Sequence, residues 1–166
     1  VDAQYDNGRY WPEPLIQINP NYQRKCTVQE LAARGIVHNQ CADVFQVDKP
    51  SLNAQPLHLF SHQLEAIAKA QTGQSFVVTT GTGSGKSLSF FIPIIDRILK
   101  AKESDKKPKT RAIVIYPMNA LANDQEDRIQ RYLERSGHSY LRVGRYDRST
   151  SEEKRAEMRK EPPHLL

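Results

Sequence analysis

Apolar residues along this chain switch between two periods, and the switches lay out a fold. Phe76-Val77-Val78-Thr79 is a short, β-branched run that breaks into glycines, the pattern of a strand entering a turn. From Leu88 the period changes. Leu88, Phe91, Ile92, Ile95, Ile98 and Leu99 fall on one face of a helix, which Pro93 is expected to bend by withdrawing a backbone donor. Arg111-Ala112-Ile113-Val114-Ile115-Tyr116 predicts a second strand, buried and ended by Pro117. A helix follows over about 118–135, apolar at Leu121, Ala122, Ile129 and Leu133 and stopped by Gly137. Tyr140-Leu141-Arg142-Val143 reads as a third strand, and Thr150 with Glu153 as the cap of a charged helix to about Lys160. The segment 162–166 reads as the entrance to another strand, and both ends of the chain read as cut.

Strand and helix in alternation predict an α/β fold, an open parallel sheet with right-handed crossovers. Ligands of such sheets lie beyond the carboxyl ends of the strands. That rule puts 80–87, 117–121 and 144–148 on one edge.

Residues 1–50 differ in character and predict a small, mostly helical or irregular accessory segment. Trp11-Pro12-Glu13-Pro14 and Ile18-Asn19-Pro20 are extended or turn-forming. Thr27 with Glu30 forms a capping box for a first helix that Gly35 stops, with Leu31, Ala32 and Ile36 toward a core and Val44, Phe45 and Val47 as a second apolar cluster. Turn formers then predict a linker at 51–56, leaving 57–166 as the main unit. Ser61 is placed to cap a helix running to about Gln71, before Gly73.

The chain has 166 residues, enough for one core, and 38% of them are hydrophobic, a low share for a self-sufficient domain. A net charge of +5 is compatible with nucleic acid without requiring it. Two cysteines, Cys26 and Cys41, with no leader pattern and no long apolar run, point to a reducing, cytoplasmic setting and no membrane partner. His38 and Cys41 make an H-x-x-C, but with Cys26 alone as a further soft ligand a zinc site is not expected.

The chemistry concentrates where the first strand breaks. In Thr80-Gly81-Thr82-Gly83-Ser84-Gly85-Lys86-Ser87 the glycines permit close approach of a ligand, and successive amides with the following helix N-terminus suit a polyphosphate. Lys86 would reach the β- and γ-phosphates, and Ser87 would offer its hydroxyl to Mg²⁺, so ATP and Mg²⁺ are the expected cofactors. The strict eight-residue P-loop wants glycine at Thr80; the shorter helicase form is met in full. Gln63, eighteen positions before Gly81, can pair one adenine edge as donor and acceptor, with Phe60 stacking on the base. A solvated glutamine and a core phenylalanine remain the plainer alternative from the residues alone.

Phe60-Ser61-His62-Gln63, then 80–87, then Tyr116-Pro117-Met118-Asn119-Ala120-Leu121-Ala122-Asn123-Asp124-Gln125 resemble, in order and spacing, the glutamine motif, motif I and motif Ia of superfamily 2 (DEAD/DEAH-like) helicases. More narrowly, Tyr-Pro-Met-Asn-Ala-Leu, with Asn19-Pro20 and 27–31, is similar to bacterial phage-defence helicases of the DISARM type. The resemblance implies a first RecA-like domain over 57–166, truncated before the acidic Walker B motif, in which Gln63 reads adenine, 81–85 cradle phosphate and Lys86 is catalytic. It implies that Pro117, Asn119, Ala120 and Leu121, with Arg145 on the neighbouring loop, approach nucleic acid, DNA first with RNA left open. A second RecA-like domain and other defence-system subunits are the further partners implied. Asp124 to Asp127 lie inside a predicted helix and Glu152-Glu153 open one, so neither supplies the strand-end acidic pair that holds Mg²⁺. The fragment alone is therefore expected to be inactive. Two rivals stay open: the motor subunit of a restriction-type complex, and a nucleotide switch or assembly module without motor activity.

Overall fold

The computed structural model describes residues 22–47 and 55–166. The expectations for 11–20, for Asn19-Pro20 and for most of the linker lie outside them.

The amino-terminal part opens with strand β1 (Arg24–Thr27), which pairs antiparallel with β4 (His58–Phe60), Cys26 opposite Leu59 and Thr27 opposite His58. Helix α1 (Val28–Ala33) starts at the predicted capping box: the Glu30 amide donates to Thr27 Oγ1 at 3.1 Å and the Thr27 amide to Glu30 Oε2 at 3.0 Å. A one-turn helix α2 (Cys41–Val44) leads to β2 (Gln46–Val47), paired with β3 (Gln55–Pro56). Leu31, Ala32, Val44 and Phe45 are buried as expected. Ile36 is not. It points outward and Val37 takes the core position, because Gly35 in the left-handed region (φ 69°) reverses the chain before the helical spacing can continue.

The next helices are α3 (Ser61–Gln71) and α4 (Lys86–Ser104), which pack on each other more extensively than any other pair of elements. Phe91, Ile92, Ile95, Ile98 and Leu99 are all buried, and α4 runs unbroken through Pro93. Each such side chain contributes about 1.5–3 kcal/mol on leaving water. Val28, Leu31, Val37, Val44, Phe45, Leu59 and Ile67 belong to the same apolar cluster, so the amino-terminal segment shares one core with α4. Asp96, also on the buried face of α4, accepts from the His38 amide (2.6 Å), Gln71 Nε2 (3.0 Å) and Lys100 Nζ (2.9 Å). This knot fastens the 36–38 turn and the end of α3 to α4.

Helix α5 (Asn119–Arg135) buries Gln125, Ile129 and Leu133, while Leu121, expected inward, is exposed in its first turn. Helix α6 (Glu152–Lys160) is capped by Ser151, whose hydroxyl accepts from the Lys154 amide, and not by Thr150. The Thr150 hydroxyl is engaged instead in the preceding turn, accepting from the Asp147 amide at 2.9 Å. Asp124 to Asp127 and Glu152-Glu153 are helical, as read from the sequence.

The parallel sheet is present in outline. Leu165 forms parallel bridges to both Ala112 and Val143, with the Val114 amide donating to Leu166 O (2.8 Å) and the Gly144 amide to Leu165 O (2.9 Å). The carboxyl-terminal segment is thus the middle member of three, the strand entrance anticipated at 162–166. Among the described residues 76–79, expected as a strand, take part in no ladder and Val77 is exposed, while Ile113 and Ile115 are largely exposed where a buried run was expected. A cleft of about 290 Å³ lies along this edge, lined by Val114, Tyr116, Asn119, Ile129, Val143 and Arg145 among others.

Candidate nucleotide and nucleic-acid sites

The β1–β4 pairing fixes where α3 begins, and α3 begins against the glycine loop. Gln63, buried at the third position of α3, accepts from the Phe60 amide through Oε1 (2.8 Å) and donates through Nε2 to Gly85 O (2.8 Å). Gln63 therefore supplies the cap that had been expected of Ser61. Its amide still has one hydrogen and one lone pair uncommitted by these two bonds. The neighbouring His62 bonds through Nε2 to Ser84 O at 3.0 Å, so two adjacent side chains of α3 hold two adjacent carbonyls of the loop.

The loop has the backbone its glycines imply. Gly83 and Gly85 sit at φ 76° and 72°, where a side chain is strained. A Cβ on Gly85 would also stand 2.7 Å from Gln63 Nε2, and one on Gly81 3.2 Å from the Tyr22 hydroxyl. Thr80 Oγ1 and the buried Ser84 Oγ are 2.6 Å apart, which closes the loop across its base. Lys86 opens α4 and folds back, its ammonium donating to Thr80 O (2.8 Å) and Gly81 O (2.7 Å). Ser87 follows on the first turn, half-buried, and Thr82 is exposed at the rim. Thr80 through Ser87 are thus brought together with Gln63 and Phe60. A side chain at 85 would be strained and would press on the Gln63 amide, and the cation of Lys86 lies among the loop's own carbonyls. A lysine and a hydroxyl at the head of a helix, behind a loop of glycines, are the donor types that a phosphate tail takes.

Two further side chains were missed in the sequence. Tyr22 stands 5.5 Å from the ring of Phe60 and 5.3 Å from that of His62, and Phe60 and His62 lie nearly parallel at 5.9 Å. Tyr22 lies two residues before β1, and the antiparallel pairing brings it over the loop. His62 lay within the quoted motif and carried no periodic signal.

On the other candidate surface, Pro117, Asn119, Ala120 and Leu121 are exposed at the start of α5, after Met118 as N-cap. Arg145 reaches the same helix, bonding to Asn123 Oδ1, with Glu126 at 3.7 Å and Asp147 Oδ2 at 3.1 Å. It is a tied cation, shared between two carboxylates. Asp147 in turn accepts from the Ser149 amide (2.8 Å) and hydroxyl (2.6 Å), and these bonds with the charge of Arg145 hold its carboxyl below the usual range.

His38 pairs with Glu103 at 2.9 Å, and burial pushes the Cys41 thiol up to about 12. Among the described residues no cluster of three metal-ligating side chains occurs, and no helix is long and apolar enough to cross a membrane.

A glycine loop gripped by the preceding helix, at the head of a helix beside a parallel sheet, defines a P-loop domain of the RecA-like class. Residues 60–166 match the DEAD/DEAH box helicase model, and the chain belongs to that family. It is 36% identical over 141 residues to Druantia protein DruE of Escherichia coli, covering 80% of this chain and 7% of that protein. It is 35% identical over 104 residues to the ATP-dependent helicase HRQ1 of Saccharomyces cerevisiae, covering 62% and 9%. The crystal structure of the DUF1998 helicase MrfA bound to DNA and AMPPNP shares its fold, with a TM-score of 0.66 at 23% identity over 98% of this chain and 21% of that one. The chain spans less than a tenth of the length of the two curated relatives.

Proposed function

We propose that this chain is the nucleotide-holding part of an ATP-dependent DNA helicase or translocase, acting on nucleic acid without base specificity and serving in anti-phage defence. The observation that carries the reading is the seat around Lys86: two loop carbonyls within 2.8 Å of its ammonium, two left-handed glycines and a long helix starting at the same point. Bound Mg-ATP would supply the phosphoanhydride whose hydrolysis drives a motor. The chain's own part is to hold it. The amides of 81–85 and the start of α4 would meet the phosphates, Lys86 would leave Thr80 O and Gly81 O to neutralise them, and Ser87 would present its hydroxyl to the metal. Gln63 would keep its hold on Gly85 and use its remaining donor and acceptor on adenine, beside Phe60.

Pro117, Asn119, Ala120 and Leu121 would approach the strand's backbone, since exposed amides at a helix start bind phosphate oxygens regardless of sequence. Arg145, held by Asn123, Glu126 and Asp147, would position the neighbouring loop against that helix. A second RecA-like domain would complete the catalytic site from elsewhere in the protein, its partners in defence being further subunits, and the setting cytoplasmic.

Lys86→Ala in the protein is expected to abolish DNA-stimulated ATP hydrolysis while leaving the helical circular dichroism unchanged. Full turnover by that variant would overturn the assignment. The 166 residues alone are expected to bind Mg-ATP weakly and turn it over negligibly.

A further inference from the structure

Tyr22 reaches the phosphate loop from the amino-terminal segment. Its ring is fixed between two aromatic neighbours, 5.5 Å from Phe60 and edge-on to His62 at 5.3 Å, and the backbone beside it is fastened to α3 by the Ser61 amide donating to Gln23 O at 3.3 Å. Its hydroxyl stands 3.2 Å from where a Cβ on Gly81 would be. Glycine at 81 leaves that space to the phenol. Among the described residues the hydroxyl has no hydrogen-bond partner. Its neighbour in the loop, Gly81 O, is taken by the Lys86 ammonium at 2.7 Å, which also takes Thr80 O at 2.8 Å.

We propose that Tyr22 is a positioning residue that registers nucleotide occupancy: when Lys86 turns to the phosphates, the Tyr22 hydroxyl donates to the Gly81 carbonyl that the ammonium gives up, and the amino-terminal segment clamps onto the loaded loop. The proposal rests on the nucleotide reading above and adds a residue and a consequence that the reading does not contain. An ammonium has three donors, and two of them are spent here on loop carbonyls. A phosphate tail draws that charge away, and each carbonyl it leaves needs a new donor. Gly81 is exposed, so water competes for the vacancy. The phenol has the advantage of being in place, since its ring is already packed and loses little rotamer freedom. Because the new bond forms only with Lys86 displaced, it favours the phosphate-bound state, and phosphate binding in turn tightens the hold of residues 22–27 on the loop.

The experiment titrates Mg-ATP and adenosine into the full protein, wild type and Tyr22→Phe, and follows hydrogen exchange of peptides spanning 22–27 with and without Mg-ATP. Tyr22→Phe keeps the ring and its packing and removes only the donor. It should bind Mg-ATP about 2- to 13-fold more weakly and adenosine as wild type does, because adenosine leaves Lys86 on its carbonyls. Mg-ATP should slow exchange at 22–27 in wild type and not in Tyr22→Phe. The empty Lys86→Ala protein, whose Gly81 carbonyl is always free, should show the slowed exchange without any nucleotide. Equal Mg-ATP affinity and equal protection in wild type and Tyr22→Phe would give the carbonyl to water and overturn the proposal alone. Equal weakening toward Mg-ATP and adenosine makes the hydroxyl a support for the base side and also overturns it. Fast exchange in empty Lys86→Ala, with the Mg-ATP loss intact, would place the hydroxyl on the phosphate itself and not on Gly81 O, again against the proposal. Wild type that binds neither ligand overturns the nucleotide reading along with it.

Discussion

Helix α4 and the strand segment at 111–116 are both rich in apolar residues, yet α4 buries Phe91, Ile92, Ile95, Ile98 and Leu99 while the segment exposes Ile113 and Ile115. A helix closes its own backbone hydrogen bonds and needs only a face to pack against, which α3 and the amino-terminal segment supply. A strand closes none of its own. Its polar groups and both faces depend on neighbours. Here the Leu165 segment pairs with the first part of 111–116, and the Tyr116 hydroxyl is buried without a hydrogen-bond partner among the described residues.

The sharpest way to break that contrast is a pair of truncations. Ile95→Ala, on the buried face of α4, is expected to cost about 2–5 kcal/mol, read as a lower denaturant midpoint at unchanged slope. Ile115→Ala, at an 88% exposed position, is expected to stay within about 0.5 kcal/mol of wild type. Equal losses would show that the sheet edge is as well packed as the helix.

A smaller effect sharpens the loop's dependence on α3. Gly85→Ala meets both a left-handed φ of 72° and the Gln63 amide, and should cost about 1–3 kcal/mol. Repeated in a Gln63→Ala background, the loss should shrink to the backbone part. A penalty independent of Gln63 would mean that the two elements are not mechanically joined.

The smallest effect lies at the sheet. His164 is buried, its Nδ1 accepting from the Arg142 amide at 3.1 Å. Burial first, then the charges of Lys102, Arg142 and Arg111, lower its pKa below the ordinary 6.5. The unfolded chain therefore takes up a proton near pH 6.5 that the folded chain refuses until lower pH. His164 should thus make stability fall as pH drops below about 6.5, with no contribution to the slope above it. His164→Asn should flatten that part of a urea-midpoint profile between about pH 7.5 and 5.5, while a slope identical to wild type would assign it to other groups.

Much of this was legible beforehand because it is local. The Thr27–Glu30 capping box, the buried stripe of α4 and the glycine loop ending in Lys86-Ser87 depend on residues within a few positions, and each is as read. Where the reading missed, the deciding partner was remote or a turn intervened. Gly35 swapped Ile36 for Val37, Asp147 drew Thr150 away from the α6 cap, and Leu121 faced outward at a helix start that the core does not reach.

The sequence by itself determined the glycine loop, the longer helices and the family, because covalent spacing alone sets which glycines fall together and which side chains share a face. Only the tertiary structure decided that Gln63 and His62 grip the loop's carbonyls, that Tyr22 lies over it and that Arg145 is bound to two carboxylates. Apart from Arg145 with Asp147, those contacts join residues about 20 to 60 positions apart. Their geometry exists only once β1 has paired with β4 and α3 has settled on α4, since no local rule encodes the distance between two surfaces that meet through a shared core.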